Sequence, residues 1–369
     1  AATAACLGII YGYDNGIIGG AQDVFAEDLG LSTQQTEFVV AAIVYGEIIG
    51  AIAAGFLVNF WGRKKSMIIL TAGYVVFGLL SAISVNMWML AGSRIGLGLA
   101  IGISLIAVPV FVAESIPARV RGGTLVLYQV MGVCGIILGL LFSLALSGST
   151  WLDSWRIMLG LASVPALILL PVIIKLPETA RWYVMKGRIA EARTSMALTD
   201  PEANADEEIK AIQAANDEER GGAIKEMLRK PYARATFFVL GLGFFIQITG
   251  INATVTYGPK IFKAMGIESD SQTLLLNVGI QFIALIAVLI SMRTVDRWGR
   301  RPILLTGISI MIAAQIAMIV TFATQQGDTF AQWQVVLGFL GIAFINIGFV
   351  FGFGALVWVY ASEAFPARL

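Results

Sequence analysis

The sequence predicts an all-helical membrane protein assembled from two copies of one six-helix unit, and three observations point there. The first is composition. Of 369 residues, 57% are hydrophobic and 13% are charged, against about 25% charged in a soluble domain. The second is clumping of the charges: 21 of the 49 Asp, Glu, Lys and Arg residues fall between Leu176 and Ala235. Long, nearly uncharged runs remain elsewhere. Runs of about 20 apolar residues read as membrane-spanning helices, whereas a transmembrane barrel alternates in runs of about 10. The third is a cassette that occurs twice. NFWGRKK at Asn59 to Lys65 returns as DRWGRRP at Asp296 to Pro302, and each copy is followed by a second shared string, ESIPARVR from Glu114 and EAFPARL from Glu363. Two markers repeated in order mean two homologous halves.

Taken in order, the apolar runs give ten spans at roughly 1–21, 36–58, 66–87, 89–113, 123–147, 156–175, 235–258, 273–293, 303–323 and 332–361. The chain divides into a first half at 1–175, a polar linker at 176–234 and a second half at 235–369. The first half has two spans after its E-x-x-P-A-R string and the second has none, so the repeat predicts spans 11 and 12 beyond Leu369. Arg63, Lys64, Lys65, Arg119, Arg121, Arg297, Arg300 and Arg301 lie in loops on one side. Positive charge marks that side as cytoplasmic, and the linker joins it there. Within the linker, Ile189 to Met196, Pro201 to Ala215 and Gly222 to Arg229 favour helix, with Asp200 as a cap and Pro201 at a first helical position. They read either as solvated surface helices or as a small bundle bracing the two halves.

The same inventory excludes several functions. A net charge of +1 provides no basic field to hold nucleic acid. The two cysteines, Cys6 and Cys134, both lie in apolar runs and there is no histidine. No disulfide framework, metal cluster or nucleophile constellation follows, so no enzyme, metal or cofactor is expected. Gly96, Gly98 and Gly102 make a glycine run inside a span. With no preceding strand it is not a nucleotide loop, and small residues at this spacing let helices pack closely.

Read as ordered strings, the motifs are more specific. They are YGYDNGIIGGA from Tyr11, GRKK from Gly62, RIGLGLAIG from Arg94, ESIPARVRG from Glu114, a W-R-x-M-x-G pattern from Trp155 and PETARW from Pro177. QITGIN from Gln247, DRWGRR from Asp296 and a G-x-x-x-W-x-x-x-SEAFP pattern from Gly354 complete the series. By these strings the chain resembles the sugar porter branch of the major facilitator superfamily, and bacterial xylose and glucose–proton symporters in particular. The resemblance covers nearly the whole chain. It implies twelve helices, a sugar bound between two six-helix halves, and a monomer in the cell membrane. It implies proton-coupled symport of a neutral hexose or pentose by alternating access. An uncoupled facilitator or a cyclic polyol (inositol) symporter is the alternative, and a non-transporting sugar sensor is a third reading from another class.

Asp14 is an acid inside span 1. A charge in hydrocarbon is expensive, so such acids face a water-filled cavity or a partner. Arg94 in span 4 is the partner within reach, since both residues are expected roughly 8–10 Å below the outer surface. The resemblance makes Asp14 the proton-binding group and Arg94 the residue that tunes it. The competing reading is a permanent ion pair joining two helices. Glu47 stands near the middle of span 2, where the family pattern has a small residue. It reads as a second protonatable site, a sugar contact, or a protonated acid hydrogen-bonded to a neighbouring helix.

Neutral sugars are recognised by amides, which donate and accept, and by aromatic faces. By resemblance the sugar contacts map to Gln129, Gln247, Asn252 and Trp358, with Tyr11, Phe349 and Gly354 beside them. Three amide positions of the family pattern are apolar here: Ile136, Ile246 and Ala284, with Gln281 one turn before the last. Arg63, Glu114, Arg121, Arg300 and Glu363 read as the cytoplasmic gate, pairing across the halves around turns at Gly62 and Gly299. The first cassette has Asn59 and Phe60 where the second has Asp296 and Arg297, which predicts a weaker network in the first half.

Overall fold

The computed structural model describes residues 2–116, 118–146, 153–199, 205–218, 227–230, 232–267, 269–325, 330–354, 356–357 and 360. Among them every regular element is helical, and nine stretches are long and apolar enough to cross a membrane. A short α1 (Ala2–Ala5) leads into α2 (Gly8–Asp28), followed by α3 (Thr33–Trp61), α4 (Arg63–Ala82), α5 (Met87–Ser115) and α6 (Ala118–Leu146). The sixth span is α7 (Ser154–Gly160) continued by α8 (Ser163–Lys175). The polar helices α9 (Ala180–Met185), α10 (Ile189–Thr199) and α11 (Ala205–Glu218) come next. They pack on a small core of Ala180, Val184, Ala192, Met196 and Ile209. Asp200 and Pro201 lie outside the described residues, as does most of the segment expected at 222–229.

The remaining spans are α12 (Ala233–Ile248) with α13 (Ile251–Thr256), then α15 (Asp270–Trp298), α16 (Arg300–Ala323) and α17 (Gln332–Phe349). The short α14 (Gly258–Ala264) connects α13 to α15. Two spans are broken near their middles. Between α12 and α13 the chain turns at Gly250, whose φ of 77° is left-handed. After α17 the last span continues as a π turn over Val350–Gly354, a wide turn often found at functional sites.

Side chains fix where the helices begin. Ser32 accepts from the Gln35 amide while the Gln35 side chain accepts from Ser32, a reciprocal cap for α3. Asn86 and Ser269 cap α5 and α15 in the simpler way. The two cassettes fold alike. Each ends a 29-residue helix and starts the next at a glycine: Gly62 at φ 94°, ψ 165° and Gly299 at φ 85°, ψ 162°. That region of backbone space is open almost only to glycine, so the repeated Gly is dictated by the turn.

The first span differs from its expected boundaries. The sequence places it at 1–21, but α2 continues to Asp28. The helix carries Gln22, Asp23, Glu27 and Asp28 past the apolar run, so hydropathy alone ends it too early. Asp14 is therefore 14 residues, about 21 Å, from the far end of its helix. The first spans pack on two cores, one around Tyr74, Leu97, Ile101 and Phe111, the other around Phe25, Trp155 and Leu159. A seam of Val126, Val130, Val133 and Ile137 on α6 meets Ala284, Ala287 and Val288 on α15, and it joins the two sets of spans. A second junction brings α2 against α13 and α14, where Asp23 pairs with Lys260 at 3.3 Å.

Candidate functional site: a buried ion pair in the membrane-spanning bundle

Between α2, α3 and α5 lies an ion pair inside the membrane-spanning bundle. The Arg94 guanidinium donates twice to Asp14, Nη1 to Oδ1 at 3.3 Å and Nη2 to Oδ2 at 3.2 Å. The third donor, Nε, goes to the Val39 carbonyl of α3 at 3.1 Å. Arg94 is 1% exposed and Asp14 3%. The bidentate geometry matches the planar fork of arginine to a carboxylate. Both oxygens of Asp14 are held by one residue, so a displacement of that one guanidinium strips the carboxylate of its charge partner.

Glu47 is close to this pair. Its carboxylate is within electrostatic reach of Asp14 and Arg94, is half-buried, and makes no hydrogen bond or ion pair among the described residues. The reading of Glu47 as an acid hydrogen-bonded to a neighbouring helix finds no such bond among the described residues, and α3 and α5 cross closely at Gly98 and Gly102 against the Glu47 backbone.

The sequence-predicted sugar contacts form two groups. Gln129 of α6, Phe349 at the end of α17 and Gly354 of the π turn come together: a Cβ on Gly354 would lie 3.4 Å from both the Gln129 amide nitrogen and the Phe349 ring. This contact joins the two sets of spans. Gln129 makes no hydrogen bond of its own among the described residues. On the other side of the break at Gly250, Asn252 donates to Gln247 at 3.2 Å, and both side chains are exposed. Tyr11 is half-buried and lies three residues before Asp14 on α2. Trp358 lies outside the described residues.

The apolar replacements are packed. Ile136 lies against the cluster that holds Ile246 and Ile251, and Ala284 is buried in the seam. Gln281, one turn before Ala284, is turned to a neighbouring helix. It is buried and donates to Asn346 of α17 at 3.1 Å, which in turn donates to Thr254 at 3.4 Å and to the Ile342 carbonyl at 2.9 Å. This chain across α13, α15 and α17 escaped the sequence reading. Its signal was present, since Asn346 is an amide in the middle of an apolar run.

At the end that carries the basic loops, Arg63 donates to Glu114 at 2.9 Å. Thr179 donates to the other Glu114 oxygen at 2.7 Å, and Arg181 lies 3.9 Å away. These contacts lie within the first set of spans and the segment that follows it, not across the halves as expected. Glu178, from the PETARW string, accepts from the backbone N–H groups of Arg63 and Lys64 and caps α4. Burial pushes the Glu178 carboxyl up, and the N–H groups of Thr179, Lys64 and Arg63 pull it back in part. Trp182 closes the turn by donating to the Asn59 carbonyl. The first cassette is thus densely bonded, contrary to the expectation that Asn59 and Phe60 weaken it. Around the second, a Cβ on Gly299 would meet, among the described residues, Pro302 at 4.0 Å, and Arg300 is half-buried at the head of α16. Glu363 lies outside the described residues, as do the side chains of Arg121 and Asp296.

The chain as a whole is similar to known proteins. The chain is 32% identical to the galactose-proton symporter of Escherichia coli (strain K12) over 366 residues, 99% of this chain and 78% of the relative. It is 31% identical to polyol transporter 5 of Arabidopsis thaliana, covering 99% of this chain and 72% of the relative. Among solved structures, the proton:xylose symporter XylE bound to 6-bromo-6-deoxy-D-glucose matches with a TM-score of 0.85 at 25% identity, over 99% of this chain and 81% of that one. The partially occluded inward open form of XylE from E. coli shares the fold at a TM-score of 0.81 and 23% identity, over 98% of this chain and 86% of that one. The family sequence model described as "Sugar (and other) transporter" matches residues 1–369, and the chain belongs to that family of multi-pass membrane transporters, which has the major facilitator fold.

Proposed function

We propose that this protein moves a neutral hexose or pentose across the cell membrane together with a proton, by alternating access. The observation that carries the reading is the buried Asp14–Arg94 pair. Asp14 binds the proton when Arg94 moves off and releases it when Arg94 returns to both of its oxygens. A motion of α5 against α2 therefore couples helix geometry to proton affinity. A proton crossing about 100 mV gains about 2.3 kcal/mol, and one pH unit adds about 1.4 kcal/mol. Together these support roughly 500-fold accumulation of a neutral solute.

The sugar occupies the chamber between the halves at 1–175 and 235–369, with 176–234 as the polar linker between them. Gln129, Gln247 and Asn252 bond its hydroxyls. Phe349 and Tyr11 cover its apolar face, Gly354 keeps the approach open, and Trp358 is assigned to the same face by resemblance. The end with the basic loops is cytoplasmic. Arg63, Glu114, Arg121, Arg300 and Glu363 form its gate, and the Asp23–Lys260 contact latches the opposite end. The protein works as a monomer in the bilayer. The two curated relatives above, one a galactose-proton symporter and one a polyol transporter, support this class of cargo.

A cyclic polyol is the second reading. Its specific support is the packing of Ile136, Ile246 and Ala284 into apolar clusters, which removes three hydrogen-bonding groups that the resemblance leads one to expect. Each is worth about 0.5–1.5 kcal/mol to a hydroxylated ligand. Uptake of hexoses, pentoses and inositols into proteoliposomes with an alkaline interior decides between them. The proposal expects accumulation of a hexose or pentose that a protonophore abolishes. Accumulation of inositol alone selects the second reading, and equilibration without accumulation contradicts both.

A further inference from the structure

Glu47 is the ionisable group of the chamber that the proposed cycle leaves unused, and its position is unusual. It sits on α3 eight residues beyond Val39, the residue whose carbonyl holds Arg94. Eight residues are about 12 Å along the helix, toward the end with the basic loops. Helical side chains lean toward their own N-terminus, so Glu47 reaches back toward the Asp14–Arg94 pair. Its backbone is fixed: a Cβ on Gly102 would come within 2.2 Å of the Glu47 carbonyl oxygen, and one on Gly98 within 3.1 Å of its nitrogen.

The titratable groups within electrostatic range of Glu47 come from four neighbouring helices. Asp14 and Tyr11 come from α2, Arg94 from α5, Tyr74 from α4 and Tyr128 from α6. Arg94 is the one cation, and it is already committed to Asp14 and Val39. Tyr74 donates to Ser104 at 2.8 Å, and Ser104 lies 3.3 Å from the Tyr128 hydroxyl. A chain of buried hydroxyls thus lines the same wall, and a carboxylate there has no permanent counter-charge.

We infer that Glu47 is a proton relay on the cytoplasmic side of the Asp14–Arg94 pair, accepting the proton that Asp14 releases and passing it to water at the cytoplasmic end. The inference rests on the symport reading above. When Arg94 closes on Asp14, the Asp14 O–H bond breaks and an O–H bond forms on Glu47. Asp14 becomes the anion paired with Arg94, and Glu47 becomes the neutral acid. Glu47 then gives the same proton to water and returns to the anion. One proton enters and one leaves, so the stoichiometry per sugar is unchanged.

The test uses the full chain in proteoliposomes, with Glu47→Gln, Glu47→Asp and Asp14→Asn compared with the parent. Glu47→Gln is expected to slow uptake driven by a pH gradient by about tenfold or more and to flatten its dependence on cytoplasmic-side pH. Sugar binding and sugar exchange at equal concentrations stay within about twofold of the parent, a difference too small to reflect a lost ligand contact. Glu47→Asp restores the pH dependence. Unchanged gradient-driven uptake in Glu47→Gln overturns the relay, and so does a loss of binding and exchange in parallel, which makes Glu47 a sugar contact. Should Glu47→Gln fail to fold, infrared spectra of Asp14→Asn decide: the relay requires a protonated-carboxyl band that titrates, and its absence overturns it. Accumulation that survives in Asp14→Asn contradicts the symport reading itself. Accumulation lost in Asp14→Asn but normal in Glu47→Gln contradicts the relay alone.

Discussion

Among the described residues lie two buried arginine–carboxylate pairs, and they are built on opposite plans. In the Arg63–Glu114 pair each Glu114 oxygen has its own donor, Arg63 on one and Thr179 on the other, with Arg181 at 3.9 Å. In the Arg94–Asp14 pair both oxygens depend on a single guanidinium, and a second acid, Glu47, lies within electrostatic reach. The first pair has redundant partners and behaves as a clamp. The second can be opened by moving one residue, and an alternative carboxylate is present when it opens. Burial alone does not separate a structural pair from a switching pair; the number of independent partners does.

The comparison is broken most sharply by removing one member from each pair. Arg63→Ala leaves Glu114 buried and charged, and losing one partner of a buried pair costs about 3–5 kcal/mol. Asp14→Asn keeps an acceptor oxygen for Arg94, which also retains the Val39 carbonyl. Its expected cost is about 1–3 kcal/mol. Unfolding of the purified proteins in detergent checks the order, and a larger loss for Asp14→Asn would reverse the assignment of clamp and switch.

The twin turns give the next largest contrast. Gly62→Ala and Gly299→Ala both place a Cβ in a region nearly reserved for glycine, at about 1–3 kcal/mol each. At Gly62 the new Cβ also meets a Glu178 oxygen at 2.2 Å and Trp182 at 3.1 Å, while at Gly299 it meets, among the described residues, Pro302 at 4.0 Å. Gly62→Ala is therefore expected to melt lower than Gly299→Ala. Equal melting points would mean that the Glu178 cap moves aside freely.

The smallest effect is expected at Glu178 itself, and it depends on pH. Burial raises this carboxyl above its ordinary value. A raised folded-state value favours the protonated form, so the contribution is fully present below about pH 4.3, the unfolded value, and is lost as pH rises through the folded one. Glu178→Gln keeps an acceptor for the α4 N–H groups and removes the titration. Its unfolding midpoint should change less between acid and neutral pH than that of the parent, by about 0.5–1.5 kcal/mol, as measured over a pH series.

Much of this architecture was legible in the sequence. Long uncharged runs gave the spans because hydrocarbon tolerates few charges, and the repeated glycine gave both turns because few other residues adopt that backbone. Asp14 and Arg94 stood out because opposite charges in apolar runs require each other. The extension of α2 to Asp28 was hidden because a helix continues past the apolar boundary when its polar residues reach water. The bond from Glu178 to the α4 amides was hidden because it joins residues 115 apart. The bond from Gln281 to Asn346 of α17 was hidden because it joins residues 65 apart. The π turn at Val350–Gly354 has no local signal beyond its glycines, and tertiary packing decides it.

Sugar-dependent proton movement is the measurement closest to the central claim. Proteoliposomes carrying a pH-sensitive dye are given sugar outside with no starting gradient, and the parent is compared with Asp14→Asn. The account predicts that sugar entry acidifies the lumen in the parent, while Asp14→Asn moves sugar by exchange and leaves the lumenal pH constant. Acidification that persists in Asp14→Asn would contradict it and place the coupling proton on another group.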